Sequence, residues 1–164
     1  MKEMKGVAQP PEQHEVRNGL LLVGSMLVTF LVLRGWLALA PDTDLDVGGF
    51  NIHHLFTGLL IVTAGGIPLA VFDGANRTRD LARITFGVGL GMALDEWVYL
   101  IATDGTNASY LLPVSLWGGI AVVGLACAYT LALVSISLRC RRQKRDGVPA
   151  ESAAELADAP EPAQ

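Results

Sequence analysis

Two adjacent carboxylates, Asp95 and Glu96, lie in the stretch GMALDEWVYL (91–100), whose other residues suit hydrocarbon. A buried carboxylate beside a histidine is material for proton transfer, and carboxylates with imidazoles are material for a metal site. Imidazoles are at hand, because the segment NIHHLFTG carries His53 and His54. A guanidinium is at hand too, since Arg34 stands alone among apolar neighbours in VTFLVLRGWLALA. A charge at depth in a bilayer costs ~2.5–3.5 kcal/mol on insertion scales, so such groups face other helices or a wet cavity and take partners. Tyr99, one turn beyond the two carboxylates, adds a phenolic donor.

The elements that must position these groups follow from composition. Of the 164 residues 51% are apolar and 17% charged, and the charges are bunched between long uncharged runs. Four runs, residues 19–40, 52–72, 81–103 and 113–138, each approach or exceed the ~20 residues a helix needs to cross the hydrocarbon. They predict an all-α fold, a bundle of four transmembrane helices. None has the ten-residue alternation of a barrel strand, which excludes an outer-membrane barrel. Residues 1–18 read as an N-terminal tail, unstructured over residues 1–16, and residues 141–164 as a tail that is first basic, then acidic and Ala/Glu/Pro-rich.

Eleven of the twelve basic residues, all but Arg34, flank the spans on one side if the chain crosses four times. The other two connections, residues 41–51 and 104–112, carry Asp42, Asp44, Asp46 and Asp104 and no Lys or Arg. The positive-inside rule then predicts both termini in the cytoplasm and the chain in the inner, cytoplasmic membrane. Ala38-Leu39-Ala40 has the form of a signal-peptide cleavage site. The long apolar run before it and Pro41 after it argue for a retained span.

Depth and facing bring the polar groups together. Counting from Ala75 in the connection FDGANRTRD, His54 lies twenty-one residues back and Glu96 twenty-one residues on, so an antiparallel hairpin puts them at similar depth. Gly74 suits the end of the first of these helices and Thr78 the start of the second. His54, Gly58, Ile61, Gly65 and Pro68 form one stripe, and Gly87, Gly91 and Asp95 another. Small residues at these spacings let membrane helices approach closely. Glu96 follows Gly89 and Ala93 on a face about 100° round from Asp95. One polar cluster in the outer half of the bundle is expected.

Three uses of that cluster stay open. As a metal site, His53, His54, Asp95 and Glu96 would hold Zn²⁺ or non-haem iron, and the ion would activate water against a lipid headgroup or lipid-linked substrate. Arg34 would then hold the anion and Tyr99 donate a hydrogen bond. Adjacent histidines diverge by ~100° on a helix, so both reach one ion only where the helix starts irregularly. As a conduit or sensor, a carboxylate and a histidine would relay protons or an ion. As interhelical glue, Arg34 would pair with Asp95 or Glu96, and His54 would lock the hairpin.

The remaining features bear on partners. Cys127 and Cys140 lie too far apart on one helix to pair and read as free thiols. Asp42, Asp44 and Asp46 are spaced like the start of a calcium loop, but the glycine comes one position late and His53 stands in place of the closing glutamate. GVGLG (87–91) follows no strand, so it is no nucleotide site. RCRRQKR (139–145) suits anionic lipid and not nucleic acid. Trp36, Trp97 and Trp117 fit an interfacial belt. Lipids, a membrane-protein partner or further copies of the chain are the expected partners.

IHHLFTGLL followed, after a basic turn, by GVGLGMALDEW resembles a group of small bacterial and archaeal four-span membrane proteins. In these a His-His-x-x-x-Gly helix start precedes a Gly-rich helix ending in Leu-Asp-Glu. The resemblance covers about residues 50–100 and implies shared positions at His53, His54, Gly58, Asp95 and Glu96. It implies no mechanism.

Overall fold

A computed structural model describes residues 11–40, 46–47, 50–51, 53–73 and 77–146. The chain runs α1 (Pro11–Leu39), β1 (Asp46–Val47), β2 (Phe50–Asn51), α2 (His54–Val71), α3 (Arg77–Ala102), α4 (Asn107–Tyr110) and α5 (Pro113–Asp146). The four long helices are each long and apolar enough to cross a membrane. The protein is an all-α integral membrane protein with four spans. The two-residue strands pair antiparallel, Asp46 with Asn51 and Val47 with Phe50, within the connection between the first two spans.

Helix ends reflect local chemistry. Proline opens both α1 and α5, where its missing N–H would be unpaired anyway and its fixed φ suits the first turn. In α2 Pro68 removes one ladder donor near the end, and the amide of Phe72 closes the last turn on the Pro68 carbonyl at 3.0 Å. α3 ends where the Thr103 hydroxyl donates back to the Tyr99 carbonyl at 2.7 Å and Gly105 turns the chain with φ 73°. Several hydroxyls inside the spans are spent on the preceding turn. Ser25 donates to the Leu21 carbonyl, Thr29 to Ser25 and Thr130 to Ala126, which spares these three an unpaired hydroxyl in hydrocarbon.

Three expectations are corrected. Residues 11–16 are helical, because Pro11 starts α1 well before the apolar run begins. α5 likewise continues through the basic cluster to Asp146. Thr78 does not cap α3, which starts one residue earlier at Arg77 and has Asp80 in its first turn, where a carboxylate favours the helix dipole. Gly74, Asp42, Asp44 and the acidic tail from residue 147 lie outside the described residues.

α3 is the centre of the bundle. A third of its apolar window is buried, 33% against 11–17% for the other three spans. It packs against α1, α2 and α5, while α1 also packs against α5 and α2 rests on α3. Glycines make the close approaches. The backbone of Gly58 in α2 meets that of Gly89 and Ala93 in α3, and Gly65 meets Ala82 and Phe86. On another face of α3, Gly87 and Gly91 meet Leu22, Ser25, Met26 and Thr29 of α1. Met26, Phe30 and Val123 form the innermost apolar cluster, with Leu90, Leu94, Ala126 and Cys127 packed on it. Trp36, Trp97 and Trp117 are exposed on the bundle surface.

Candidate functional site: two carboxylates on two helix seams

The two faces of α3 separate the adjacent carboxylates. Asp95 continues the Gly87 and Gly91 face toward α1, and Glu96 continues the Gly89 and Ala93 face toward α2. Both are nearly inaccessible, at 1% and 3% exposure. Each has its own set of partners.

Asp95 meets Arg34. The guanidinium Nε donates to Asp95 Oδ1 at 2.6 Å. Nη1 donates to the Tyr110 carbonyl at 3.1 Å and to Ser115 Oγ at 3.2 Å. Nη2 donates to the Ser115 carbonyl at 3.0 Å and the Asp95 carbonyl at 3.3 Å. The Tyr110 hydroxyl donates to the other Asp95 oxygen. Burial, then the facing Asp95 carboxylate, pushes the Tyr110 phenol up, which keeps it a donor. The Arg34 carbon also lies 4.2 Å from the Tyr110 ring centroid, a cation–π geometry. Gly119 in α5 leaves room for the pair, because a Cβ there would lie 3.1 Å from both Arg34 Nη2 and Asp95 Oδ1. This seam therefore joins α1, α3, α4 and α5.

Glu96 serves the start of α2. Its Oε2 accepts the Leu55 amide at 2.5 Å, one of the first-turn donors that a helix cannot pair internally. Its Oε1 lies 3.4 Å from His54 Nδ1 and 3.5 Å from His53 Nδ1. His53 has extended backbone, φ −61° and ψ 143°, as the residue before the helix. That irregular start is what lets neighbouring imidazoles reach one oxygen. Both histidines stay partly exposed, with side chains at 27% and 29%. This group reaches the protein surface, whereas the Asp95 group is closed.

The proposed metal set is thereby divided. His53, His54 and Glu96 come together, but Asp95 is turned away to Arg34, Tyr110 and Ser115. Among the described residues no group of three or more His, Cys, Asp or Glu has a metal-holding arrangement. Tyr99 is likewise committed elsewhere. Its hydroxyl donates to the Thr106 carbonyl at 3.2 Å, and its ring, 2% exposed, meets Tyr110 edge-on with centroids 5.2 Å apart.

Tyr110 and Ser115 were not legible as partners. Tyr110 ends α4 and Ser115 stands in the first turn of α5, on either side of a connection shaped by its own short-range bonds. Asp104 Oδ1 accepts from the Thr106 amide at 3.2 Å and its hydroxyl at 2.9 Å. Hydrogen bonds from Ser109 and then Thr106 hold the Asp104 carboxyl below its ordinary range. This turn seats Tyr110 over Arg34, a folded-loop effect without a periodic signal in the sequence.

No family model matches the chain, and no solved structure matches it. Over 107 residues, 63% of its length, the chain is 33% identical to an uncharacterized MFS-type transporter of Schizosaccharomyces pombe. It spans 16% of that protein's length.

Proposed function

We propose that the chain is a multi-pass protein of the cytoplasmic membrane in which the Arg34–Asp95–Tyr110 group locks the bundle into one arrangement for assembly with membrane partners or further copies of itself. The observation that carries this reading is the saturation of Arg34. All three of its nitrogens are spent within the protein. A phosphate or developing anion would have to displace Asp95 and two carbonyls to reach it. Glu96 does parallel work as a cap for α2. Placement of both ends in the cytoplasm belongs to this reading and rests on the one-sided distribution of basic residues.

The test is functional. A triple variant, Arg34→Met, Asp95→Leu and Glu96→Met, removes every buried charge of the cluster together and so strands no charged partner. Folded triple variant is expected to restore the phenotype of a strain lacking the protein. Failure of a folded, normally abundant variant would assign the cluster to chemistry.

A second reading has one observation of its own. The partial similarity to an MFS-type transporter, together with the His53–His54–Glu96 group at the protein surface, supports a proton or ion conduit. Its test is flux in proteoliposomes, with Glu96→Gln abolishing it. The metal-dependent enzyme reading draws no support from the ligand arrangement, since Asp95 and Tyr99 are engaged elsewhere.

A further inference from the structure

The start of α2 is held through histidines, the residue type whose charge changes near neutrality. His54 Nδ1 and His53 Nδ1 stand 3.4 and 3.5 Å from Glu96 Oε1, while the other carboxylate oxygen accepts the Leu55 amide. Both imidazole distances exceed the ~2.7–2.9 Å of a charge-assisted hydrogen bond. A neutral imidazole carries one proton on two ring nitrogens, so only one of its tautomers donates from Nδ1, whereas an imidazolium always does. Uptake of a proton therefore turns a long contact into a charged hydrogen bond and draws the ring onto the carboxylate. The proton has a way in, because both histidines are partly exposed beside the buried Glu96.

The neighbouring charges leave Glu96 as the counter-charge. On α3, Asp95 is turned to Arg34 of α1 and Tyr110 of α4, and Tyr99 meets His53 ring to ring with centroids 6.2 Å apart. Asp104, in the turn after α3, accepts from Thr106. α2 carries no ionisable side chain besides His54. In the connection before α2, Asp42 and Asp44 lie outside the described residues, and Asp46 is described only by its backbone pairing. These three carboxylates would favour an imidazolium in the same sense as Glu96, so the experiment removes them separately. The middle of α2 is fixed on α3 by main-chain contacts at Gly58 and Gly65, which no proton alters. Its first turn is the part that answers to charge.

We infer that His53, His54 and Glu96 form a proton-operated clasp, by which acid in the adjoining solution tightens the first turn of α2 onto α3 and alkali slackens it. The clasp rests on Glu96 serving as the cap of α2 and adds the proton as its regulator. A hydrogen bond between charged partners is about twice as strong as a neutral one, so one such conversion makes opening of the first turn rarer by on the order of fivefold.

Amide exchange of the full chain in micelles, followed by NMR at about pH 5.5 and about pH 8, spans the ordinary imidazole range and stays above that of a carboxyl. Protection is taken relative to the unstructured rate at each pH. Leu55 is expected to be on the order of fivefold better protected at the lower pH. Val123, in the innermost apolar cluster, should not change. His53→Gln with His54→Gln, which removes both titrating groups, should flatten the Leu55 response. Asp42→Asn, Asp44→Asn and Asp46→Asn together should keep it. Equal Leu55 protection at the two pH values in the parent overturns the inference, and that result needs no variant to fold. A response that survives the histidine variant, or that vanishes with the aspartates, overturns it as well, because the proton would then act elsewhere. Glu96→Ala tells the two layers apart. Leu55 exchange equal to the parent's in that variant removes the cap and the clasp with it, while a cap lost in Glu96→Ala but indifferent to pH in the parent removes the clasp alone.

Discussion

Replacing Gly58 with alanine puts a methyl group where α2 and α3 touch backbone to backbone. The new carbon falls 2.7 Å from Ala93 N, 2.8 Å from Gly89 O and 2.9 Å from Met92 Cβ, whereas ordinary contact begins at 3.4 Å. Two of the three are main-chain atoms, so no side chain can swing aside, and the helices must part locally by about 0.7 Å, the difference between 3.4 and 2.7 Å. Leu55 and His54 lie one turn away, so the same motion stretches the 2.5 Å cap on Glu96 and the 3.4 Å imidazole contact. Overpacking costs ~1–3 kcal/mol, a weakened hydrogen bond about 1, and alanine returns at most ~1 in helix propensity. A net loss of about 2 kcal/mol is expected, read from reversible unfolding of the full chain in mixed detergent micelles by circular dichroism. Gly24→Ala is the control, because a Cβ there meets no atom within 4 Å. It should be neutral or gain up to ~1 kcal/mol. Equal stability of the two variants would refute the close α2–α3 seam, and with it the route by which Glu96 reaches α2.

Glu96→Ala leaves the Leu55 amide and two imidazoles without their acceptor, a loss of ~1–3 kcal/mol, while Glu96→Gln keeps one carbonyl acceptor and should lose about half as much. Hydrogen exchange at Leu55 checks it directly, with faster exchange expected in the alanine variant. For topology, a cysteine at Thr106 should react with an impermeant thiol reagent added to intact cells, and one at Thr78 should react only after lysis. Reversed labelling would invert the orientation proposed from the basic residues.

The spans were legible because hydrocarbon imposes length and apolarity on any helix that crosses it, and the four runs declare both. Their ends were less so. Pro11 is a helix-start residue by its geometry, yet it precedes a polar segment whose composition reads as a tail. α5 similarly continues past its apolar run because arginine and lysine are good helix formers. Facing was legible on α3, where Gly87, Gly91 and Asp95 recur at one spacing and Gly89, Ala93 and Glu96 lie on the neighbouring face. What did not follow was that the two faces serve different helices. A single cluster was the simplest arrangement of His53, His54, Arg34, Asp95 and Glu96, and the bundle makes two. Of the deciding partners, Tyr110 comes from the short α4, whose placement depends on Asp104, Thr106 and Ser109 and leaves no periodic trace, and Ser115 from the first turn of α5, where a lone serine among apolar residues gives no sign of its partner. The irregular start at His53 is similar, since it takes extended backbone to aim two consecutive imidazoles at one oxygen.

The interhelical lock is tested most directly by a double-mutant cycle on Arg34 and Asp95, measured as unfolding free energy of the full chain in micelles. Arg34 donates to Asp95 at 2.6 Å, with the side chains 11% and 1% exposed. Removing one member of such a buried pair leaves the other uncompensated and costs ~3–5 kcal/mol, whereas apolar replacement of both spares that penalty. Asp95→Leu and Arg34→Met alone should each lose that much. Together they should lose less than either, retaining only the cost of an unpaired Tyr110 hydroxyl and Ser115, ~1–3 kcal/mol. The account therefore predicts a coupling of about 3 kcal/mol or more. Two cheap single variants that simply add would contradict it, and would leave the pair without a structural reason to be buried.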